Sequence, residues 1–234
     1  MTLPFLILGC AILWSLESAE HRLQHTLANI GLTAAVLLTN LALSFLAAWV
    51  SAVSQRETQL PLWLQVLTGI AALDLFAYVA HVLLHKMPFA WRFHRVHHSD
   101  EAVDVTTAFR QHPGESVWRV LWQLPAIAIL GLPLWIVVVY LTVSAANAQL
   151  EHANIRLSET VDRWLRVLFV TPNMHKVHHS RLQPETDSNY SNIFSVWDRV
   201  FGTYTNRIDF HALRYGLDDP DEHDTFVALL RMPF

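Results

Sequence analysis

The stretch WRFHRVHHSD (Trp91–Asp100) and the later stretch TPNMHKVHHS (Thr171–Ser180) both contain H-x-x-H-H-S, with His94 and His175 eighty-one residues apart. On a helix, positions i, i+3 and i+4 share one face, so each triplet can aim three imidazoles at one point. The surrounding chain of 234 residues is 53% hydrophobic and only 15% charged, and its mean hydropathy is +0.28. Such a balance is unusual for a soluble domain and points to bilayer spans. The duplicated triplet therefore has to be explained inside a membrane protein.

Outward from the triplets, the apolar runs set the frame. Leu27–Val53 is long and uncharged, and Leu60–Leu84 is interrupted only by Asp74 and His81. Val117–Leu150 is long enough to enter and return, with Gly131 and Pro133 marking the turn of a hairpin. Leu3–Leu16 is short for a span and suits a tilted or interfacial helix. The expected fold is all-α: an integral-membrane helical bundle of about four spans, the last a helical hairpin, with a cytoplasmic histidine-rich di-metal cap. Residues 1–60 read as N-terminal membrane helices, 61–205 as the catalytic domain and 206–234 as a polar tail. If the histidine segments face the cytoplasm, every Lys and Arg except Arg56 falls on that side, as the positive-inside bias demands. That placement brings both triplets to one face. A net charge of −4 leaves no basic footprint for nucleic acid, and the single Cys10 excludes an internal disulfide or a cysteine-rich metal site.

Ten of the fourteen histidines lie between positions 81 and 179. His81 and His85 share a face at the end of the Leu60–Leu84 run, His94, His97 and His98 form the first triplet, and His175, His178 and His179 form the second. His152 ends the hairpin, and His112 sits in an HPGE stretch that could equally cap the next helix. Asp74 and Tyr78 extend the stripe of His81 and His85 in helical steps. Both are catalytic candidates, since an aspartate within a span is expensive unless paired, and Asp74 could hold a histidine ligand in its tautomer. A lone zinc site uses three or four protein ligands. The boxes alone offer eight, an excess that fits two metals with open positions. No Glu-x-x-His or H-E-x-x-H is present, and imidazole suits iron, zinc, copper or nickel alike. His21 and His25 have ligand spacing but sit in a polar link and read as surface residues. His211 and His223 are isolated in polar sequence.

With DLFAYVAHVLLH, WRFHRVHHSD, TAFRQHPGE, EHANI, HKVHHS and NYSNIFSVWDRVFGTY all in order, the chain resembles the fatty acid hydroxylase/sterol desaturase superfamily from about Asp74 to Tyr204. The resemblance implies two iron ions held by His81, His85, His94, His97, His98, His175, His178 and His179, with His152 and His112 as additions. It also implies O2 as co-substrate, a lipid substrate taken from the membrane, and an external electron donor of ferredoxin or cytochrome b5 type with its reductase. The aromatic NYSNIFSVWDRVFGTY segment suits either an interfacial surface or ordinary packing. A non-catalytic membrane metal-binding or transport protein is the alternative, though it should carry ionisable residues along several spans, where Asp74 is nearly alone. A bis-histidine haem protein would need single histidines on facing helices. Hydroxylation and desaturation are not separated by any residue.

Overall fold

Four helices end where the histidines are. In the computed structural model, which describes residues 2–16, 23–207, 212–218 and 225–234, the chain forms α1 (Thr2–Leu16), α2 (Leu23–Ser54), α3 (Leu62–Lys86), α4 (Pro88–His98), a 3-10 turn (Val105–Phe109), α5 (Pro113–Leu130) and α6 (Leu134–His152). Among the described residues the C-terminal third holds only short helices: α7 (Glu159–Leu165), α8 (Pro172–His178), α9 (Gln183–Thr186), α10 (Val196–Val200) and α11 (Phe226–Arg231). Among the described residues there is no strand beyond one isolated bridge, Phe169 to Phe194. The fold is all-α.

Three of these helices are long and apolar enough to cross a membrane: α2 from His25 to Ser54, α3, and α6. The chain is a membrane protein. Leu38 and Phe45 of α2 leave about 70% of their surface uncovered (72% and 71%), the pattern of a helix whose outer face meets lipid. The hairpin turn falls where Gly131 and Pro133 placed it. Gly131 ends α5 with φ of 61°, where a side chain would be strained, and a Cβ there would stand 2.7 Å from the Ser54 carbonyl oxygen. Pro133 then opens α6 as its N-cap residue. Helix α5 packs against both α2 and α3, α3 against α6, and α1 lies on α6. Leu73 and Ala77, Ala126 and Ile127, Val137 and Tyr140, with Ile193, close the core between them. Gly69 lets α3 approach α6, since a Cβ there would meet Ile136 at 2.5 Å.

The aromatic segment after residue 190 is tied to α3 by one buried carboxylate and folded on itself by another. Asp74 accepts from the backbone N–H groups of Ile193 and Phe194 and from the Trp197 indole, at 3.1, 3.0 and 2.9 Å. Asp198 accepts from the N–H groups of Tyr190 and Ser191 and from the Thr203 hydroxyl. Asp74 therefore anchors a loop; it does not touch a histidine. The expensive charge in the span is satisfied by three donors, which accounts for its burial.

His25 departs from the surface placement that its polar surroundings suggested. It is buried, and its Nε2 meets both carboxylate oxygens of Asp100 at 2.8 and 2.9 Å. Asp100 also accepts from Thr107 and from the N–H of Ala102. Arg110 reaches the Val96 carbonyl, the Ser99 hydroxyl and Asn29. This polar knot ties the start of α2 to the end of α4. Burial alone would raise the Asp100 carboxyl, but His25, Arg110 and Thr107 hold it below its usual range. His21, His211 and His223 lie outside the described residues.

Candidate metal centre

Each triplet occupies the last turn of a short helix opened by a proline. Pro88 is the first residue of α4 and Pro172 that of α8, where Thr171 caps by accepting from the Met174 N–H. Proline costs no hydrogen bond at a helix start, so these sequences fix where the turn begins and which way the three imidazoles point. His81 and His85 end α3, and His152 ends α6. Four helix C-termini, each carrying partial negative charge on its last carbonyls, thus converge on one place, an arrangement that favours cations.

The histidines divide into two groups. The ligating atoms of His81, His85, His94, His98 and His178 all lie within 4.8 Å of one another, and so do those of His97, His152, His175 and His179. The division crosses the triplets. On α4 the first and last members, His94 and His98, join the first group while His97 joins the second. On α8 the first and last, His175 and His179, join the second while His178 joins the first. A helix that offers i and i+4 to its own side can offer i+3 to the other, so two facing copies of one motif build two adjacent sites. The sites share a wall, with the His98 and His179 rings stacked at 4.7 Å. This is why the triplet is written twice.

All nine imidazoles are buried, the His85 ring included. Three have their tautomer fixed by the backbone. The Nδ1 of His81 donates to the Tyr190 carbonyl, that of His178 to the Ser188 carbonyl and that of His152 to the Ala148 carbonyl, each at 2.7 Å. A carbonyl only accepts, so Nδ1 carries the proton and Nε2 presents a lone pair inward. In the second group the Nε2 of His152 lies 3.1 Å from that of His97, 3.0 Å from that of His175 and 3.1 Å from that of His179. One lone pair cannot serve three neighbours at once. In the first group the Nε2 atoms of His85, His98 and His178 have no hydrogen-bond partner among the described residues. Converging, buried, unprotonated nitrogens are the donor set of a metal site, and both groups fit one.

Electrostatics keep the imidazoles in the ligating form. Burial, then repulsion from neighbouring imidazoles, holds His97, His98, His175, His178 and His179 well below the ordinary imidazole range; burial also lowers His94. Around the first group stand two carboxylates that already have cations. Glu115 lies 3.0 Å from His94 Nδ1 and pairs with Arg119 at 2.7 Å. Asp187 lies 3.4 Å from His85 Nδ1 and pairs with Lys86 at 2.8 Å. Trp91 and Tyr190 cover the same group, their rings 5.1 and 5.0 Å from that of His85.

Of the site residues expected from sequence, His112 is not brought to either group. It is the N-cap of α5: its Nδ1 accepts from the Gly114 N–H at 2.9 Å, and its Nε2 meets the Leu230 carbonyl at 3.3 Å. Tyr78 shares a hydrogen bond with Thr203, stacks on Phe201 and meets the Tyr190 ring edge-on at 6.4 Å. Sequence reasoning missed Glu115, Asp187 and Glu151, whose only signal was a carboxylate near a histidine in the folded chain.

The sequence model described as fatty acid hydroxylase matches residues 66–203, more than half of the chain. The chain belongs to the fatty acid hydroxylase family. It is 32% identical over 149 residues to the ornithine lipid hydroxylase OlsE of Rhizobium tropici, covering 63% of this chain and 44% of that one. It is 31% identical over 147 residues to the alkylglycerol monooxygenase of Caenorhabditis elegans, covering 63% and 26%. With the human alkylglycerol monooxygenase it shares 28% identity over 162 residues, covering 68% and 33%. The chain thus spans less than half the length of these curated relatives. No solved structure matches it. The matched family segment contains all nine converging histidines.

Proposed function

We propose that this chain is a membrane-bound di-iron oxidoreductase that uses O2 and externally supplied electrons to hydroxylate a lipid. The observation that carries this reading is the pair of adjacent, buried imidazole groups, with tautomers locked so that their lone pairs point inward. The metals are two irons: the spacing would suit several metals, and the family supports iron. Bound iron supplies the oxygen chemistry needed to attack an unactivated C–H bond.

The chain's own residues position and protect that chemistry. The Tyr190, Ser188 and Ala148 carbonyls fix the imidazoles; Trp91 and Tyr190 keep water from the first group; Asp74 and Asp198 hold the 188–204 segment that supplies two of those carbonyls. A lipid is the substrate class that fits both the surroundings and the relatives, which are named for ornithine lipid, alkylglycerol and fatty acid. An apolar cleft of about 480 Å³ lies between Leu6, Gly9, Ile12 and Leu13 of α1 and Thr142, Ala146 and Gln149 of α6. Its Gln149 end is one turn before His152, which suits an alkyl chain running along the bilayer toward the second group. Asp74 and Tyr78 act as positioning residues, through the loop that holds His81 and His178.

The catalytic segment is 61–205, and the histidine face is cytoplasmic, as the distribution of Lys and Arg supports. Reporter fusions at Ser99 and Gln183 should report the cytoplasmic side and a fusion at Gln55 the opposite side. Ser99 and Gln183 on opposite faces would remove the shared site. For the reaction, the purified protein with oxygen and a lipid should turn over negligibly until a ferredoxin- or b5-type donor and its reductase are added. With labelled oxygen gas, label in the lipid identifies hydroxylation, and a new double bond without label identifies desaturation. Donor-independent turnover under nitrogen would overturn the oxygenase reading.

A further inference from the structure

Two stretches of the C-terminal third, 159–171 and 193–201, are built inside out. Asp162, Arg166, Thr171, Ser195 and Asp198 are buried, whereas Trp164, Val167, Leu168, Phe169, Val200 and Phe201 stand exposed. The buried groups satisfy one another. Arg166 pairs with Asp162 at 2.7 Å, Thr171 donates to the other Asp162 oxygen, and the Ser195 hydroxyl donates to the Arg166 carbonyl. Outside, Trp164 leaves 73% of its surface uncovered and Val200 65%. A surface that faced water would place these side chains the other way round.

The backbone fixes how deep this apolar face lies. Helix α3 has 25 residues, about 37 Å of helix against a hydrocarbon core of about 30 Å. The exposed Arg56 and Glu57 hold its start at one interface, so at most about 7 Å can project at the histidine end. Tilt only shortens that projection. Asp74 stands twelve residues, about 18 Å, before Lys86 and so lies about 11 Å within the core. The Ile193 and Phe194 N–H groups and the Trp197 indole bind Asp74 at that level. Two backbone hydrogen bonds then lay 168–170 along 193–195: Ser195 N–H to the Leu168 carbonyl and Val170 N–H to the Ile193 carbonyl, each at 3.0 Å. Such neighbours stand about 5 Å apart, so Leu168 and Phe169 remain below the membrane surface. Their own N–H groups both donate to the Leu165 carbonyl. Irregular backbone thus enters the hydrocarbon with its polar groups paired, as a solvent without water demands.

We propose that Trp164–Phe169, with Val200 and Phe201, is a membrane-embedded face that docks on the acyl chains of the bilayer beside α3, entering and leaving on the histidine side without crossing. Phe201 continues the lipid-facing surface of that span by stacking on Tyr78 at 5.4 Å. Glu159 and Arg163 are exposed on α7 and mark the level of the headgroups, where an arginine stem can reach lipid phosphate. The loop whose Tyr190 and Ser188 carbonyls orient His81 and His178 is therefore seated in the bilayer. This surface stands whichever metals and reaction the histidines serve.

Cys10 is the single cysteine, so the full chain carrying Cys10→Ser can bear one nitroxide at a time, at Trp164→Cys, Leu168→Cys or Val200→Cys. Each is reconstituted in phosphatidylcholine vesicles, with Phe45→Cys on α2 as the lipid reference and Gln183→Cys, exposed at the start of α9, as the water reference. Electron paramagnetic resonance reads collisions with oxygen, which concentrates in lipid, and with a water-soluble nickel chelate. Labels at Leu168 and Val200 should behave like Phe45, with nickel collisions about fivefold or more below those at Gln183. Trp164 should read shallower than Leu168, because its helix carries the exposed Glu159 and Arg163. Nickel collisions at Leu168 and Val200 equal to those at Gln183 would put the face in water and overturn the proposal. Few collisions with either reagent would overturn it too, since protein would then cover the face, and dipolar coupling between labels would identify that cover as a second copy. Leu168 follows α7 and Val200 ends α10, so if one variant misfolds the other still decides.

Discussion

The first histidine group is held from outside and the second mostly is not. Around the first, His81 and His178 donate to carbonyls, and His94 and His85 have Glu115 and Asp187 at their outer nitrogens. In the second, only His152 donates to a carbonyl; the Nδ1 atoms of His97, His175 and His179 have no hydrogen-bond partner among the described residues. Outer partners fix the ring orientation and raise the basicity of a ligand. Two sites built from one repeated motif therefore differ in how many of their ligands meet an outer partner, more at the site rooted in α3 than at the site rooted in α6. The difference originates in which span helix completes each group.

The largest effects should come from removing a ligand on each side. His98→Ala should strip the metal of the first group and His179→Ala that of the second, each lowering lipid oxidation by about a hundredfold or more. Iron analysis of the two variants decides whether the groups are independent. One iron retained in each supports two sites, and loss of both irons in either variant would break the comparison.

Next comes Asp74→Ala, which touches neither metal. It leaves the Ile193 and Phe194 N–H groups and the Trp197 indole without their acceptor, at a cost of about 3 kcal/mol or more. The segment it releases carries the Tyr190 and Ser188 carbonyls that orient His81 and His178, both of the first group. Thermal unfolding should fall, and iron should be lost from the first group before the second. Asp74→Asn, which keeps one acceptor oxygen, should be milder. Equal loss from both groups would show that Asp74 supports the bundle and not the loop.

His25→Ala should be smaller and even-handed. It removes one partner from buried Asp100, which keeps Thr107 and the Ala102 N–H, so the cost is about 1–3 kcal/mol. The knot it loosens ends α4, and α4 serves both groups through His94, His98 and His97. Iron should therefore be lost from both groups to the same extent, read as a uniform change in the rates at which both irons are released to a chelator.

These cases also mark what could be read from the chain before it was folded. Periodicity is local, so the apolar runs, the Gly131–Pro133 turn and the i, i+3, i+4 spacing of the triplets gave the helices and the convergence of imidazoles. Partner choice is not local. Nothing in the spacing says that His97 leaves its triplet for the opposite group, that His25 lies under Asp100 seventy-five residues away, or that Asp74 takes its donors from residues 193–197. Asp74 was legible as a charge needing partners, and its stripe with His81 suggested the wrong ones. The stripe is real; the C-terminal segment simply brings three backbone and indole donors closer than any imidazole.

The smallest expected effect concerns His112, whose spacing among the other boxes made it a ligand candidate. In the fold both of its ring nitrogens are used elsewhere, one accepting from Gly114 and the other meeting the Leu230 carbonyl, and Phe93 lies against its ring at 5.1 Å. The carbonyl requires a proton on Nε2 and the N–H requires a lone pair on Nδ1, so a single neutral tautomer satisfies both contacts. As a helix cap, its replacement by alanine should cost about 1 kcal/mol. His112→Asn, which restores a capping oxygen, should recover most of that loss, whereas asparagine would be a poor substitute for an imidazole ligand. Both variants should retain two irons, released to a chelator at the wild-type rates. An iron lost in His112→Ala and not recovered in His112→Asn would return this residue to the ligand set.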